Sequence, residues 1–239
     1  MNEHSNTLTK DQKDEIVYKR KTGKYSSHET ILRLIGTPSH ADSSILDLGA
    51  SDGLLYQELK GRGFDVTCVD YESPENISVP AEDYVFCNLE QYQDLKIEKK
   101  YDYIILADVI EHLRNAGGLL QYISKFLKED GQVIISVPNI AIWVYRLSLM
   151  LGKFDYTEKG TLDETHVRFY TKKSILNLMA KTQYQVQNFI PTSLPFEVVL
   201  KSLRGSFILN AIEAIYFIFA SLWQRMFAYQ FVIKAKVSK

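Results

Sequence analysis

Two aspartates at the ends of apolar runs could each meet a polar ligand. Asp47 lies within "ILDLG", where an unpaired buried charge is costly, so a cationic or hydrogen-bonding group should meet it. Asp70 ends "FDVTCVD", and an acid one strand beyond a glycine turn can accept both hydroxyls of a ribose. Helix capping or an internal donor for Asp47, and a plain turn role for Asp70, are the alternatives.

The turn in "ILDLGASDGLL" joins an apolar run to a helical pattern, a layout that presents backbone N–H groups to nucleotide cofactors. Read from Gly49, the dinucleotide pattern G-x-G-x-x-G requires glycine where this chain has Ser51 and Leu54. The spacing G-x-G-x-G keeps Gly49 and Gly53, and only Ser51 departs from it. The turn therefore disfavours NAD, and the sequence has no Gly-Lys-Ser/Thr of a P-loop.

Two histidines follow predicted strands and could act as bases, since histidine is the usual base at neutral pH. His112 lies in "ADVIEHL", and His166 lies in "DETHVRFYT", a loop that could close over an acceptor. Arg168 could bind a carboxylate or phosphate of that acceptor, or pair with Asp163 or Glu164. For His112, orientation of the loop by a hydrogen bond is the alternative to catalysis.

The composition excludes several classes of protein. With 28 basic and 29 acidic residues the chain has no basic excess, so nucleic acid is not expected as a partner. Cys68 and Cys87 lie in apolar runs, which fits reduced thiols, and their spacing indicates no metal site. The N-terminal "MNEHSNTLTKDQKDE" lacks the apolar core of a signal peptide. We therefore expect a cytoplasmic protein without a metal.

Five apolar runs alternate with helical patterns, which is typical of a parallel sheet covered by helices. The runs are "SILDLG", "FDVTCVD", "DYVFC", "YDYIILA" and "GQVIISVP". The helices between them are "GLLYQELKGRG", ended by Gly61 and Gly63, and "NAGGLLQYISKFLKEDG", ended by Gly131. Right-handed crossovers would bring the carboxyl ends of the strands to one edge, where such sheets bind ligands.

The pattern changes after Pro138. Two helices, "NIAIWVYRLSLMLGKF" and "KKSILNLMAKTQ", are followed by a strand "YQVQNFIP", the apolar "FILNAIEAIYFIFASLW" and a last strand "AYQFVIKAKV". When it folds as a single domain, a chain of 239 residues can bury about 70% of the surface that its unfolded form exposes. We expect a single domain over residues 1–239, divided into an N-terminal helical cover (1–44), a cofactor-binding core (45–138) and acceptor-side segments with the final strands (139–239).

The two apolar segments after Pro138 exceed what a nucleotide-binding core needs. Neither segment is predicted to span a membrane. Arg146 interrupts the first, and Asn210 and Glu213 interrupt the second. We expect them to pack on each other or to form a homodimer contact. A hydrophobic acceptor such as a lipid-linked glycan, or peripheral contact with a membrane surface, is the sharper hypothesis.

Six motifs in sequence order resemble those of class I S-adenosylmethionine-dependent methyltransferases. They are "LDLGASDG", "VTCVD", "YVFCNLE", "YDYIILADVIEHL", "LKEDGQVIISVPN" and "DETHVRFYTKKSILNLMAKTQY". The similarity covers about Ser26 to Val186 with the C-terminal strand, and is strongest to small-molecule methyltransferases of polysaccharide and secondary-metabolite gene clusters. The resemblance implies an α/β, Rossmann-like fold: a seven-stranded, mostly parallel sheet with helices on both faces and the last strand antiparallel.

The resemblance also implies how S-adenosylmethionine would bind. The residues at its methionine part would be Asp47, Gly49, Ser51 and Gly53, and Asp70 would bind the ribose. Those around the adenine would be Tyr71, Asn88 and Leu89. Those beside the methyl group would be Ala107, Asp108 and Val109. This chain departs from the pattern at Ser51, usually glycine, and at Asn88, where aspartate is frequent.

These observations predict transfer of a methyl group from S-adenosylmethionine to an oxygen of a small-molecule or glycan-type acceptor. His166 and His112 are the candidate bases, and Arg168 is the candidate acceptor-binding residue. A nitrogen or carbon acceptor stays open, because the donor site is indifferent to the element methylated. A cofactor-binding module that lost catalysis and acts in regulation or assembly is the alternative of another class, and the two histidines argue against it.

Overall fold

A computed structural model describes residues 23–72 and 78–238. Within them, seven strands form one sheet with the order β3-β2-β1-β4-β5-β7-β6. The strands are β1 (Ser44–Leu48), β2 (Asp65–Asp70), β3 (Tyr84–Phe86), β4 (Tyr101–Ala107), β5 (Leu127–Pro138), β6 (Tyr184–Pro191) and β7 (Gln230–Val237). β7 is antiparallel to its neighbours β5 and β6, whereas the pairs among β1 to β5 are parallel. The predicted sheet with its antiparallel last strand is confirmed.

Helices cover the sheet. They are α1 (Ser27–Ile35), α2 (Leu54–Gly61), α3 (Ala116–Ile123), α4 (Trp143–Met150), α5 (Lys172–Lys181), α6 (Phe196–Val199), α7 (Phe207–Leu222) and α8 (Gln224–Phe227). One hydrophobic cluster contains Ile31 of α1 and Leu59 of α2, and another contains Leu120 of α3 and Met179 of α5. Because the central strands are covered on both faces, they read as continuous apolar runs rather than alternating ones.

The segment "LKEDG" begins strand β5, so its prediction as the end of a helix was wrong. α3 ends at Ile123, and β5 starts at Leu127, which pairs with Tyr101 of β4. The register of this pair shifts between Tyr101 and Tyr103. Glycine fits the irregularity, because a Cβ at Gly131 would lie 2.9 Å from the Tyr101 carbonyl oxygen. Strand pairing has overridden the local helical preference of this segment.

Helix α1 lies in the predicted N-terminal helical cover, within the segment "SHETILRLIG". The Ser26 hydroxyl accepts a hydrogen bond from the Glu29 N–H at 3.3 Å and caps the helix. The Lys234 ammonium of β7 donates to the Leu34 carbonyl at 3.1 Å, which ties the helix to the sheet. The rest of the predicted N-terminal cover, residues 1–22, lies outside the described residues.

The two apolar segments contact each other as expected. Trp143 Nε1 of α4 donates to the Tyr216 hydroxyl of α7 at 3.2 Å, and that hydroxyl donates to the Phe227 carbonyl of α8 at 2.9 Å. In the part of the chain that the structure describes, no helix combines the length and apolar character needed to cross a bilayer.

Candidate functional site

The turn between β1 and α2 has a left-handed backbone at alternate positions. The φ angles are 78° at Gly49, 49° at Ser51 and 78° at Gly53. A left-handed conformation costs a residue other than glycine roughly 1–2 kcal/mol, which explains why glycine is usual at the middle position. The Ser51 N–H donates to the Asp70 carboxylate at 2.8 Å. This hydrogen bond helps to hold the strained serine in place.

Close packing also requires glycine at two of these positions. A Cβ at Gly49 would lie 2.5 Å from Val109 Cγ2, and one at Gly53 would lie 2.9 Å from Val79 Cγ2. The N–H groups of Gly49 and Ala50 donate to the Val69 carbonyl of β2 at 2.8 and 3.3 Å. The turn is therefore fixed against the ends of both β2 and β4. A larger residue at Gly49 or Gly53 would collide with these valines.

Asp47 is a buried carboxyl on strand β1. It is 1% exposed and pairs in register with Cys68 and Ile105. Among the described residues, neither of its carboxylate oxygens has a hydrogen-bond partner. Burial, and secondly the negative charge of Asp70, raises the pKa of Asp47 to about 7. An ammonium group would supply the missing partner, so this residue fits the methionine part of S-adenosylmethionine.

The raised pKa of Asp47 predicts opposite pH trends for folding and for ligand binding. The folded chain keeps this proton up to about pH 7, while the unfolded carboxyl loses it near pH 4, so the free energy of unfolding should fall as pH rises between these values. An ammonium ligand favours the carboxylate. Affinity for S-adenosylmethionine should therefore weaken below pH 7, by up to about tenfold per pH unit.

Calorimetry in buffers of different ionisation enthalpy measures this affinity and the proton released on binding. The Asp47→Asn variant is the control, because its side chain cannot ionise. Persistence of the same pH dependence in this variant would contradict the role of Asp47.

Asp70 ends β2 beside the turn. It is buried and accepts hydrogen bonds from the N–H groups of Ser51, Tyr71 and Glu72 at 2.8, 2.7 and 3.2 Å. A carboxylate has about four lone-pair sites, so it can also accept from a ribose hydroxyl. The adjacent Tyr71 ring is 65% exposed, which is compatible with contact to an adenine. The geometry thus fits the predicted ribose end of the site.

The residues predicted at the adenine follow β3. The Cys87 N–H donates to the Asp70 carbonyl at 2.8 Å, so Asn88 and Leu89 come next to the end of β2. Leu89 is buried. Asn88 is exposed, and its side-chain oxygen accepts from the Glu90 N–H at 3.0 Å as the cap of a short helix. Asn88 therefore has a local structural role beside the one implied by the resemblance.

Ala107, Asp108 and Val109 lie where β4 leaves the sheet. Asp108 has φ 57°, and its Oδ1 accepts from Ser136 Oγ at 2.6 Å and from Gln230 Nε2 at 2.8 Å. These bonds connect the end of β4 to β5 and β7. Asp108 thus braces three strands, and the sequence did not predict its partners Ser136 and Gln230.

His112 and His166 lie together, with ring centroids 4.6 Å apart in an edge-on arrangement. His112 Nδ1 is 3.0 Å from Thr165 Oγ1, and Thr165 Oγ1 donates to Asp163 Oδ1 at 2.6 Å. Because the only hydroxyl proton of Thr165 points to Asp163, His112 Nδ1 must be the donor to Thr165. The Nε2 atom of neutral His112 is then unprotonated.

His166 has the same tautomer for a different reason. Its Nδ1 lies 3.0 Å from the Thr161 carbonyl oxygen, which can only accept, so Nδ1 carries the proton and Nε2 is free to take one. Burial, and secondly the electrostatic influence of the neighbouring His166 ring, lowers the pKa of His112. His112 is therefore neutral at neutral pH. The structure brings the two predicted bases together in a form that can accept a proton.

Arg168 is exposed and lines a small cleft together with residues that include Glu111, His166 and Phe169. Its Nε and Nη2 groups donate to the Arg114 carbonyl, the former at 3.0 Å. The predicted alternative partner, Asp163, accepts the Thr165 N–H instead, at 2.8 Å. Arg168 is thus fixed beside His166 by a backbone carbonyl.

Glu111, His112 and His166 form a compact group. Each offers one ligand atom, and these atoms lie within 4.8 Å of one another. One carboxylate and two imidazoles are a ligand set that suits divalent transition metals. The sequence predicted no metal, because the third member comes from a distant loop. Sensitivity of activity to a chelator separates a metal-binding role of this group from proton transfer.

The threonines that orient the two histidines were not predicted. Thr161 and Thr165 precede His166 in "TLDETH" and resemble any polar loop when read as sequence. Their roles depend on the fold of this loop over the end of β4, where the N–H groups of Val167 and Arg168 both donate to the Glu111 carbonyl at 3.0 Å.

Comparison with known families supports the sequence resemblance. Residues 18–188 match a family described as a methyltransferase domain. Ubiquinone biosynthesis O-methyltransferase of Rickettsia akari is 28% identical over 156 residues, which are 60% of this chain and 59% of that protein. The same enzyme of Rickettsia bellii is 27% identical over 160 residues, covering 62% of this chain and 63% of that protein. The chain thus spans about three fifths of the length of these curated relatives.

Solved structures share the fold. The 1,6-didemethyltoxoflavin-N1-methyltransferase of Burkholderia thailandensis, with bound 1,6-didemethyltoxoflavin and S-adenosylhomocysteine, has a TM-score of 0.60 at 15% identity, covering 95% of this chain and 83% of that one. The magnesium protoporphyrin IX methyltransferase of Synechocystis, with bound S-adenosylhomocysteine, has a TM-score of 0.58 at 16% identity, covering 97% and 89%. These identities show the fold alone. The family match covers well over half of this chain. The chain therefore belongs to the methyltransferase domain family.

Proposed function

We propose that this protein transfers a methyl group from S-adenosylmethionine to an oxygen of a small-molecule or glycan-type acceptor. The observation that carries the proposal is the arrangement of three features at the carboxyl edge of the sheet: the unpartnered Asp47, the acid Asp70, and the pair of His112 and His166. The names of the O-methyltransferase relatives support the oxygen. The whole chain would be one domain, with 45–138 binding the cofactor and 139–239 the acceptor.

The cofactor would supply an activated methyl group on a sulfonium. Asp47 would bind its ammonium and Asp70 its ribose hydroxyls. The residues beside the methionine would be Gly49, Ser51, Gly53, Ala107, Asp108 and Val109, and those beside the adenine would be Tyr71, Asn88 and Leu89. Because Gly49 and Gly53 are packed against valines, the turn is preorganised, which favours binding and alignment.

The histidine pair would perform the acid–base part of the reaction. As the acceptor oxygen gains the methyl group, its proton would pass to His166 Nε2, whose Nδ1 proton is held by the Thr161 carbonyl. His112, oriented by Thr165, would position the acceptor hydroxyl or share the proton. Arg168 of the cleft would bind an anionic group of the acceptor.

The alternatives to methylation of an oxygen are methylation of another element and loss of catalytic activity. A nitrogen acceptor would need less help from a base, so its rate would depend weakly on the histidines. A non-catalytic regulatory or assembly module would bind the cofactor without turnover. An apolar or lipid-linked acceptor is supported by the exposed apolar residues after β5.

Calorimetry with S-adenosylmethionine, S-adenosylhomocysteine and NAD tests the cofactor. We expect binding of the first two and not of NAD, because the turn lacks the dinucleotide glycines. Transfer of labelled methyl from S-adenosylmethionine to a cell extract, with a Gly49→Val variant as a matched negative control, tests catalysis. Binding of NAD alone would refute the proposal, and cofactor binding without any transfer would favour the non-catalytic module.

A further inference from the structure

Helix α4 turns its apolar residues outward. None of its residues is buried, and Met150 is 83% exposed. A surface helix normally directs an apolar stripe to the core and polar residues to solvent. In the described part of the chain, nothing covers the outer side of α4, although six of its eight residues are apolar or aromatic.

Helix α7 has the reverse of the usual polarity. Its only charged residue, Glu213, is buried, whereas Ile215 and Phe219 are more than half exposed and Leu222 is 81% exposed. An apolar outer face opposite a buried charge indicates that the outer face meets an apolar environment. The inversion does not fit a helix whose outer side meets only water.

Hydrogen bonds link the two helices and their exposed apolar residues into one region of the molecule. Trp143 of α4 is hydrogen-bonded to Tyr216 of α7, and Arg146 Nη2 of α4 donates to the Arg225 carbonyl of α8 at 3.5 Å. These bonds join α4 to the middle of α7 and to α8. We call the exposed apolar residues of 143–151 and 207–223 the apolar face.

Basic residues border the apolar face. Residues 143–160 and 196–227 contain six basic and four acidic residues, whereas the whole chain has 28 and 29. Lys153, Lys159 and Lys201 are exposed, as are Asp155 and Glu158, whereas Glu213 is buried and Glu197 is paired with Arg204. An excess of positive charge around an apolar centre attracts an anionic surface and opposes contact with a second copy of itself.

We propose that the apolar face docks on the surface of an anionic lipid bilayer. α4 and α7 would lie in the interfacial region with their exposed apolar side chains inserted, and the bordering lysines would contact lipid phosphates. Docking on a bilayer accounts for both the exposed apolar residues and the basic border. Binding of a polar acceptor in the cleft would account for neither.

The apolar face adjoins the histidine pair. Phe154 follows α4, and its ring centroid lies 6.0 Å from that of Phe169, which lies 6.3 Å from that of His166. Tyr156 joins this group, 5.7 Å from Phe154. If the proposed methyl transfer holds, an acceptor dissolved in the bilayer would reach His166 along these rings. Docking itself does not depend on methyl transfer.

Flotation with vesicles of phosphatidylcholine, with or without about 30% phosphatidylglycerol, tests the docking. We expect the full chain to bind the anionic vesicles at least tenfold better than the neutral ones. The double variant Met150→Glu/Leu222→Glu should lose at least tenfold in partitioning, because both side chains are almost fully exposed and the fold is spared. The matched control is Val237→Glu at the far end of β7.

A charge-reversal pair separates lipid attraction from nonspecific adhesion. Lys153→Glu/Lys201→Glu should reduce binding to anionic vesicles, whereas Lys181→Glu at the end of α5 should not. Absence of vesicle binding by the full chain would overturn the proposal. So would a dimer in sedimentation equilibrium that the double variant converts to monomer, because a second copy would then cover the face. Methyl transfer to water-soluble acceptors, measured in parallel, reports on the proposed activity separately.

Discussion

Replacing His166 with alanine is expected to lower the rate of methyl transfer to a hydroxyl acceptor by about 10²–10⁴, the usual contribution of a general base. The affinity for S-adenosylmethionine should change little, because His166 contacts Thr161 and His112 rather than the turn after β1. Single-turnover rates with labelled donor measure the first effect, and calorimetry measures the second.

The matched control for His166 is His40→Ala, since His40 is a partly exposed histidine paired with Asp42 far from the cleft. Thr165→Val adds a second comparison. It removes the hydroxyl that orients His112 without touching His166, so a smaller loss is expected. An unchanged rate in His166→Ala would remove its role as a base. Loss of activity with a chelator, restored by a divalent cation, would instead assign the histidines to metal binding.

Replacing Asp70 with alanine is expected to weaken binding of S-adenosylmethionine by about 10²–10⁴. Hydrogen bonds from two ribose hydroxyls to a carboxylate contribute roughly 1.5–3 kcal/mol each. The variant also loses the acceptor of the N–H groups of Ser51, Tyr71 and Glu72, so the turn should loosen. Calorimetry gives the affinity, and thermal unfolding without ligand gives the change in stability.

Two further variants separate the effect of Asp70 on cofactor affinity from its effect on stability. Asp70→Asn keeps an oxygen acceptor but removes the charge, so its stability should suffer less than its affinity for the cofactor. Asp65→Ala, at the exposed start of the same strand, should change neither by much, because its ion pair with Lys99 is at the surface. Affinity of Asp70→Ala equal to that of the unaltered chain would exclude the ribose role.

The turn geometry of the proposed cofactor half of the site could be predicted from the sequence because its signals are local. A carboxylate inside an apolar strand marks Asp47 as a candidate ligand-binding residue. Two glycines at fixed spacing predict a turn with left-handed residues. The structure explains the one departure from that pattern, since Ser51 takes φ 49° while its N–H is held by Asp70. Asp47, the two glycines and Ser51 all lie within β1 and the turn that follows it.

The acceptor half depends on contacts that the sequence does not encode locally. His112 and His166 meet only because the loop after α4 folds back on the end of β4, through hydrogen bonds to the Glu111 carbonyl. The error at Gly131 has the same origin. "KFLKED" favours a helix by composition, but Tyr101 of β4 offers a strand partner, and that distant pairing decides the outcome.

The loop of residues 157–168 would set the timing of the proposed reaction. Thr161 fixes the proton on His166, Thr165 fixes the proton on His112, and both threonines belong to the loop that forms the wall of the cleft. Displacement of this loop would remove the hydrogen-bond partners that set both tautomers at the same time. In the proposed reaction, the base would therefore be ready to take a proton only while this loop lies on the end of β4.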